Sequence, residues 1–477
     1  MAEPAASGSP QALANEALRR AQAGDLAGAE PLFSRLTELA PREASAWAGL
    51  GRCRLGLGRP ESALVALRRA ADLTPNESAA VVNLAGVLAR LGRHAEALAT
   101  LDRATATHPE DAAIAFNRGR TLQALGRHAE ALQAYDLALA IDPRLLPALS
   151  ARATLQAEQG DLASAILDLD QLLVQRPGDR RARVRRAELA LATGDWLGGL
   201  GEREARFEIA ADADDWRPAL PLWRGGEIAG RRLLLFSELR EDGAAIADTL
   251  QMLRFARRMA ESGFAMDIEV VPALLSWLRA HAGLPAGLRL IGRGEPSNAD
   301  LAIAMQSLPL LCDAEPTRLP ASLSLDPLAR RAGPPRIIGL APLASGSAAV
   351  RQRRDLPLAP LAGLAEQGVE CLLLQPVASP PAWASSAGLP ATPDVSRLAA
   401  ALDTLDLVLA ADNWIAHVAA ARGLPVWLLL DSNADWTWLA DRSTSPWYPS
   451  VRLYRQSRTG DWRAPVSAAL NDLRHQA

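Results

Sequence analysis

The stretch DNWIAHVAAARGLPVWLLL, residues 412–430, carries the side chains best placed in this sequence to grip an anion. The apolar run LDLVLAA just before it (residues 405–411) reads as a buried strand, and a helical pattern begins where that run stops. Asp412 stands where an N-cap is expected, with a carboxylate able to accept from the amides of Trp414 or Ile415. Gly423 closes the helix and Pro425 opens the next strand. A helix start has unpaired main-chain N–H groups and the positive end of the helix dipole. Asp412, Asn413, Trp414 and Ile415 therefore mark an anion site at the carboxyl edge of a sheet. His417, about one turn further on, could add a donor to a phosphate or sugar oxygen. Its alternative is a core histidine bonded to a carbonyl. All 51 basic residues are arginine, so any phosphate must be held by guanidinium groups or main-chain amides.

The rest of the sequence must supply the elements that position this turn. A chain of 477 residues exceeds one hydrophobic core. Its net charge of −3 offers no basic footprint for nucleic acid or an anionic membrane. Cys53, Cys312 and Cys371 lie far apart, without metal-ligand or disulfide spacing, so no metal site is expected. No apolar run has the length of a spanning helix and no signal peptide is visible, which gives a cytoplasmic expectation.

The first two hundred residues repeat every 34. Glycine recurs at Gly24, Gly58, Gly92, Gly126, Gly160 and Gly194, and alanine follows five residues later at Ala29, Ala63, Ala97, Ala131 and Ala165. Proline ends successive units at Pro41, Pro75, Pro109, Pro143 and Pro177. Glycine permits a tight turn, alanine lets two helices approach, and proline stops the second helix. The pattern resembles tetratricopeptide repeats (TPRs): five clear units plus a drifting sixth over residues 10–213, forming an all-α solenoid. Its concave face is expected to bind a protein. His94 and His128, at one repeat position, are expected to be solvated.

Eleven of the twelve tryptophans lie from Trp196 onward, and residues 214–230 read as a packed, Trp- and Pro-rich linker. From residue 231 short apolar runs alternate with helical patterns: RRLLLF, AIADTLQMLRFARRMAES, AMDIEVV, ALLSWLRAHAG and LRLIG. After a polar break, RIIGLAPL, PLAGLAEQG, VECLLLQP, DVSRLAAAL, LDLVLAA and PVWLLL follow. These predict two Rossmann-like lobes, residues 231–330 and 335–477, with parallel sheets and a cleft at the strands' carboxyl ends.

The run from LDLVLAADNW to RQSRTGDW resembles the C-terminal lobe of bacterial TPR glycosyltransferases. These are related in fold to heptosyltransferases and O-linked N-acetylglucosamine transferases. Asp412, His417, Gly423, Pro425, Trp427, Asp435, Trp436, Trp438 and SPWYP (residues 445–449) carry the likeness; QSLPLL (residues 306–311) extends it loosely. The resemblance implies a GT-B-type, metal-independent transferase with a nucleotide-sugar co-substrate and no other cofactor. It implies a protein acceptor hydroxyl on Ser or Thr, held by the repeats, with flagellin as one such acceptor. It places phosphate donors at Asp412, Asn413, Trp414 and Ile415 with His417 nearby, and a base at Asp248. Arg351, Arg353 and Arg354 match a basic loop that approaches the donor. Asp248 reads equally as a first-turn acid stabilised by the helix dipole, and the arginines as a solvated loop. This chain departs from the family by having Ala245 and Ala247 for loop glycines, about four extra residues near 240–243, and Asn413-Trp414 for a small hydroxyl residue and its neighbour. The alternative function is a catalytically degenerate scaffold that binds proteins.

Overall fold

The structure is a computed structural model and describes residues 9–209, 218–228, 230–239, 242–322, 325–328, 333–346 and 348–476. Residues 214–217 and 229 of the expected linker, and 240–241 of the expected insertion, lie outside these.

Twelve helices in six pairs build the repeats. They are α1 (Pro10–Gln22) and α2 (Leu26–Leu39), α3 (Ala44–Gly56) and α4 (Pro60–Leu73), and α5 (Ser78–Arg90) and α6 (His94–Thr107). The other pairs are α7 (Ala112–Ala124) and α8 (His128–Ile141), α9 (Leu146–Glu158) and α10 (Leu162–Gln175), and α11 (Arg180–Ala192) and α12 (Trp196–Arg203). The six repeat glycines all adopt positive φ, between 72° and 94°, a backbone that a Cβ would strain. The five repeat alanines are each 0 % exposed, so any larger side chain there would push paired helices apart. His94 and His128 differ from expectation: each begins the second helix of its pair, is half-buried, and has an Nδ1 shielded from solvent without a partner.

Two compact units divide the chain. The first is the chain through Gln156 with Val174–Pro177; the second is Ala157–Leu173 with everything from Gly178. The solenoid thus ends by joining its last helices to the α/β part.

Within the second unit, α13 (Arg206–Ile209) precedes a four-stranded parallel sheet of order β3-β2-β1-β4. Its strands are β1 (Arg232–Phe236), β2 (Ala265–Val270), β3 (Leu288–Gly292) and β4 (Leu301–Ala304). Helices α14 (Asp242–Glu261), α15 (Pro272–His281) and α16 (Leu308–Leu311) accompany it. A second, six-stranded parallel sheet has the order β10-β9-β8-β5-β6-β7. It comprises β5 (Ile337–Ala341), β6 (Glu370–Leu373), β7 (Ser385–Ser386), β8 (Leu407–Ala410), β9 (Val426–Leu430) and β10 (Val451–Arg455). Its helices are α17 (Ala348–Arg354), α18 (Gly363–Glu366), α19 (Val395–Leu402), α20 (Trp414–Ala421) and α21 (Arg463–Gln476). β8 and β9 are buried along their whole length, which explains their unbroken apolar sequence.

Each sheet reverses its strand order once, between β1 and β4 in the first and between β5 and β8 in the second. Loops that leave the two sides of such a point diverge and open a crevice at the carboxyl ends. The sequence reading missed β4, the two-residue β7 and β10, and PLAGLAEQG forms only a 3-10 turn and the four-residue α18. No described helix is long and apolar enough to cross a membrane.

Candidate functional site

Both crevices contribute to one cavity of about 220 Å³ within the second unit. From the first sheet come Leu239, after β1, and Gln306, after β4. Helix α14 presents Ala244, Ala247, Asp248 and Gln251, a spacing of three, four and seven that keeps them on one face. From the second sheet come Ser345 and Gly346 after β5, Asp412 and Asn413 after β8, and Asp435 after β9. His417, Arg354, Thr437 and Trp438 complete the lining.

Asp248 is 2 % exposed. The Ser237 hydroxyl donates to its Oδ2 at 2.7 Å, while Oδ1 has no hydrogen-bond partner among the described residues. Gln306 lies near enough to favour the ionised form without meeting Oδ1 in hydrogen-bonding geometry. Burial dominates and pushes the carboxyl up to about 7, against the Ser237 hydrogen bond and with help from Glu238. The residue sits in the second turn of α14, which already begins at Asp242. AIAD is therefore helix, as the run AIADTLQMLRFARRMAES predicted and unlike the loop that the family resemblance placed there, and neither alanine needs a glycine's freedom.

The last repeat reaches this carboxylate indirectly. Arg203 of α12 is 8 % exposed, donates through Nη2 to Gln306 Oε1, and lies 5.6 Å from the Trp436 ring centroid. Arg206 donates to Glu238 at 2.8 and 3.0 Å and to the Ser307 hydroxyl at 2.8 Å. The residues beside Ser237 and Gln306 are thus tied to helices that end the solenoid.

The turn after β8 differs from expectation in a way that matters chemically. Asn413, not Asp412, caps α20: its Oδ1 accepts from the amides of Ile415 at 3.0 Å and Ala416 at 3.2 Å. Its Nδ2 donates to the carbonyls of Ala341 and Leu343 at 2.9 and 3.0 Å, fastening the helix start to the end of β5. The Ile415 amide, one of those expected to hold an anion, and the next amide, of Ala416, are therefore already satisfied within the chain.

Asp412 keeps part of its surface open to the cavity but is otherwise enclosed. Burial first, then the Asp435 carboxylate, raise it to about 6, against the opposing pull of Arg354 and a hydrogen bond from Trp438. His417 is 3 % exposed, with Nδ1 at 3.2 Å from the Tyr448 hydroxyl and Trp438 at 5.2 Å between ring centroids. Burial lowers its pKa to about 3. It is a neutral imidazole, which can hydrogen-bond but brings no positive charge to a phosphate.

The remaining candidates separate. Arg354 lines the cavity, yet its guanidinium serves Asp431 Oδ2 at 3.1 Å and the Asn433 carbonyl at 2.6 Å. Arg353 pairs with Glu158 at the end of α9. Arg351 is exposed and donates to the Gly346 carbonyl at 3.0 Å. Arg351 and Arg354, three apart, share a face of the helix and Arg353 lies off it, yet the three guanidinium groups find three different partners. Ile415 is fully buried in the core. Trp414 packs over Gly243 at the start of α14, where a Cβ would stand 2.8 Å from its Cδ1, and is not part of the cavity wall.

Five expected residues therefore meet around the cavity: Asp248, Asp412, Asn413, His417 and Arg354. Four others, Trp414, Ile415, Arg351 and Arg353, stand elsewhere. Sequence reasoning did not single out Gln251, Ser345 or Thr437, though Gln251 was accessible from its place three residues after Asp248 on the same helix face. Among the described residues, no cluster of three or more His, Cys, Asp or Glu could hold a metal ion.

Comparison with known proteins supports the repeats. Tetratricopeptide-repeat family profiles match residues 20–86, 55–117, 112–145 and 150–215. No curated protein matches the chain. Among solved structures, the TPR protein TTC0263 of Thermus thermophilus is 26 % identical, covering 38 % of this chain and all of that one, with a TM-score of 0.34. MamA (residue 41 to the end) from Desulfovibrio magneticus RS-1 is 18 % identical over 37 % of this chain and 99 % of that one, at 0.33. PilW, a type IV pilus biogenesis factor, is 20 % identical over 43 % and 95 %, at 0.39.

Proposed function

We propose that this chain is a glycosyltransferase whose repeats hold a protein acceptor while the interlobe cavity transfers a sugar from a nucleotide-sugar donor to a Ser or Thr hydroxyl. The observation that carries this reading is the meeting of Asp248, Asp412 and His417 where the carboxyl ends of two parallel sheets converge. A base for a hydroxyl needs a pKa near the working pH, and burial brings the Asp248 carboxyl to about 7. In this reading Asp248 accepts the acceptor's proton. Neutral His417 and the Asp412 carboxyl orient the sugar, and exposed Arg351 is the guanidinium available to the leaving phosphate. The two-lobed GT-B description belongs to the same proposal.

A second reading, a protein-binding scaffold on a disused transferase fold, is favoured by one observation. The helix amides that would hold a phosphate are capped by Asn413, and Arg354 is committed to Asp431. Thermal unfolding with a panel of nucleotide sugars separates the two. A donor at a hundred times its Kd adds about 2.7 kcal/mol to stability. Stabilisation by one donor, with transfer abolished in Asp248→Asn and donor affinity retained, supports the enzyme. No stabilisation by any donor supports the scaffold.

A further inference from the structure

We infer that the cavity accepts a single hydroxyl-rich ring bearing an ammonium group, an amino sugar, in preference to a neutral or acidic sugar. This rests on the transfer reading, because it names the sugar that the site would hold.

Size comes first. About 220 Å³ suits one ring and falls below the roughly 300–1,000 Å³ of sites that enclose a larger ligand, so a nucleotide would extend outside it. Charge comes next. Asp248, Asp412 and Asp435 line the cavity. The one arginine among them, Arg354, already forks onto Asp431 and the Asn433 carbonyl. His417 is neutral and Arg354 offsets the carboxyls only in part, because it is shared with Asp431; three carboxyls against one guanidinium leave the lining net acidic, and an anionic substituent would meet repulsion there.

The third observation is independent of charge. Two polar atoms on the cavity-facing stripe of α14 have no partner: Asp248 Oδ1, an acceptor, and Gln251 Nε2, a donor. Their residues are 2 % and 6 % exposed, so water does little to satisfy them. Both atoms are closed to water as they stand, so a ring reaches them only when these side chains turn toward the cavity; its hydroxyl or ammonium hydrogens then give Oδ1 a donor, and a ring or hydroxyl oxygen receives the Gln251 amide. Asp435 adds a second anchor: its Oδ1 accepts from the Thr437 amide and hydroxyl at 3.0 and 2.8 Å, which fixes the carboxylate's direction.

The test is calorimetric titration of the full chain with glucosamine, glucose and glucuronate, which share a ring and differ in charge. Glucosamine is expected to bind roughly tenfold or more tightly than glucose, with glucuronate weakest. Asp435→Asn, an exposed position where the amide oxygen keeps both Thr437 bonds, should remove most of glucosamine's advantage over glucose. Equal affinity for all three, strongest binding of glucuronate, or binding of none at millimolar concentration overturns the inference. Transfer from a neutral-sugar donor without glucosamine binding refutes the inference and leaves the transferase reading. Glucosamine binding without turnover of any donor does the reverse.

Discussion

Replacing Asp248 by asparagine tests the electrostatics of the cavity without needing a substrate. The native carboxyl titrates near 7 in the folded protein against an ordinary value of 3.8, because it is desolvated. Its folded-state pKa is raised, so the folded chain binds the proton more tightly than the unfolded one. Its contribution to stability is complete below about 3.8 and is lost as pH rises through 7. At about 1.36 kcal/mol per unit, ionising it at pH 8 costs about 4 kcal/mol, and the cost at pH 5 is about 1.7 kcal/mol. Asparagine cannot ionise, and its carbonyl still accepts from Ser237. The variant should therefore gain about 2 to 3 kcal/mol over the native chain between pH 5 and pH 8, on the order of 3–5 °C in Tm for a unit of about 300 residues. The assay is thermal unfolding of both proteins in a pH series at fixed ionic strength. Parallel curves would overturn the prediction, because they would mean that the carboxylate is solvated when charged.

Three further outcomes follow from the same geometry. His417, held near 3 by burial against an ordinary 6.5, should remain neutral in nitrogen NMR spectra down to about pH 4; its contribution to stability is complete above 6.5 and falls away as the pH drops toward 3. Asn413→Ala removes a helix cap and the donor to two carbonyls, and chemical denaturation should show a loss of about 2–4 kcal/mol. Arg203→Ala removes a positive charge that lowers the Asp248 pKa, so carboxyl NMR should show the Asp248 midpoint moving higher.

The repeats were legible because their determinants are local. A positive-φ glycine and a fully buried alanine recur at fixed spacing, and each constrains its own hairpin regardless of what lies beyond. The buried strands β5, β8 and β9 were equally plain as continuous apolar runs. β10 escaped because it is an edge strand whose apolar run is broken by exposed Arg452, and β4 because it runs straight into the helical turn at Met305–Ser307 with no turn residue between. The site was legible in outline and not in detail. Asp412 and Asn413 are both good capping residues, and only a non-local fact decides between them. The carbonyls of Ala341 and Leu343 arrive from β5, and an amide can donate to them where a carboxylate cannot. Likewise, nothing local says that Glu158 or Asp431 will claim two of the three arginines of α17. Trp414 is also placed by a non-local contact. Its contact with Gly243 depends on how α14 meets α20.

A crystal structure of the chain with a stabilising nucleotide sugar, or its hydrolysis-resistant analogue, would test the transfer reading at its root. The expected result is a sugar ring between Asp248, Asp412 and His417, with the nucleotide running out past Gly346 and Arg351. A nucleotide bound elsewhere, or a ring beyond hydrogen-bonding reach of Asp248, would show that reading to be wrong.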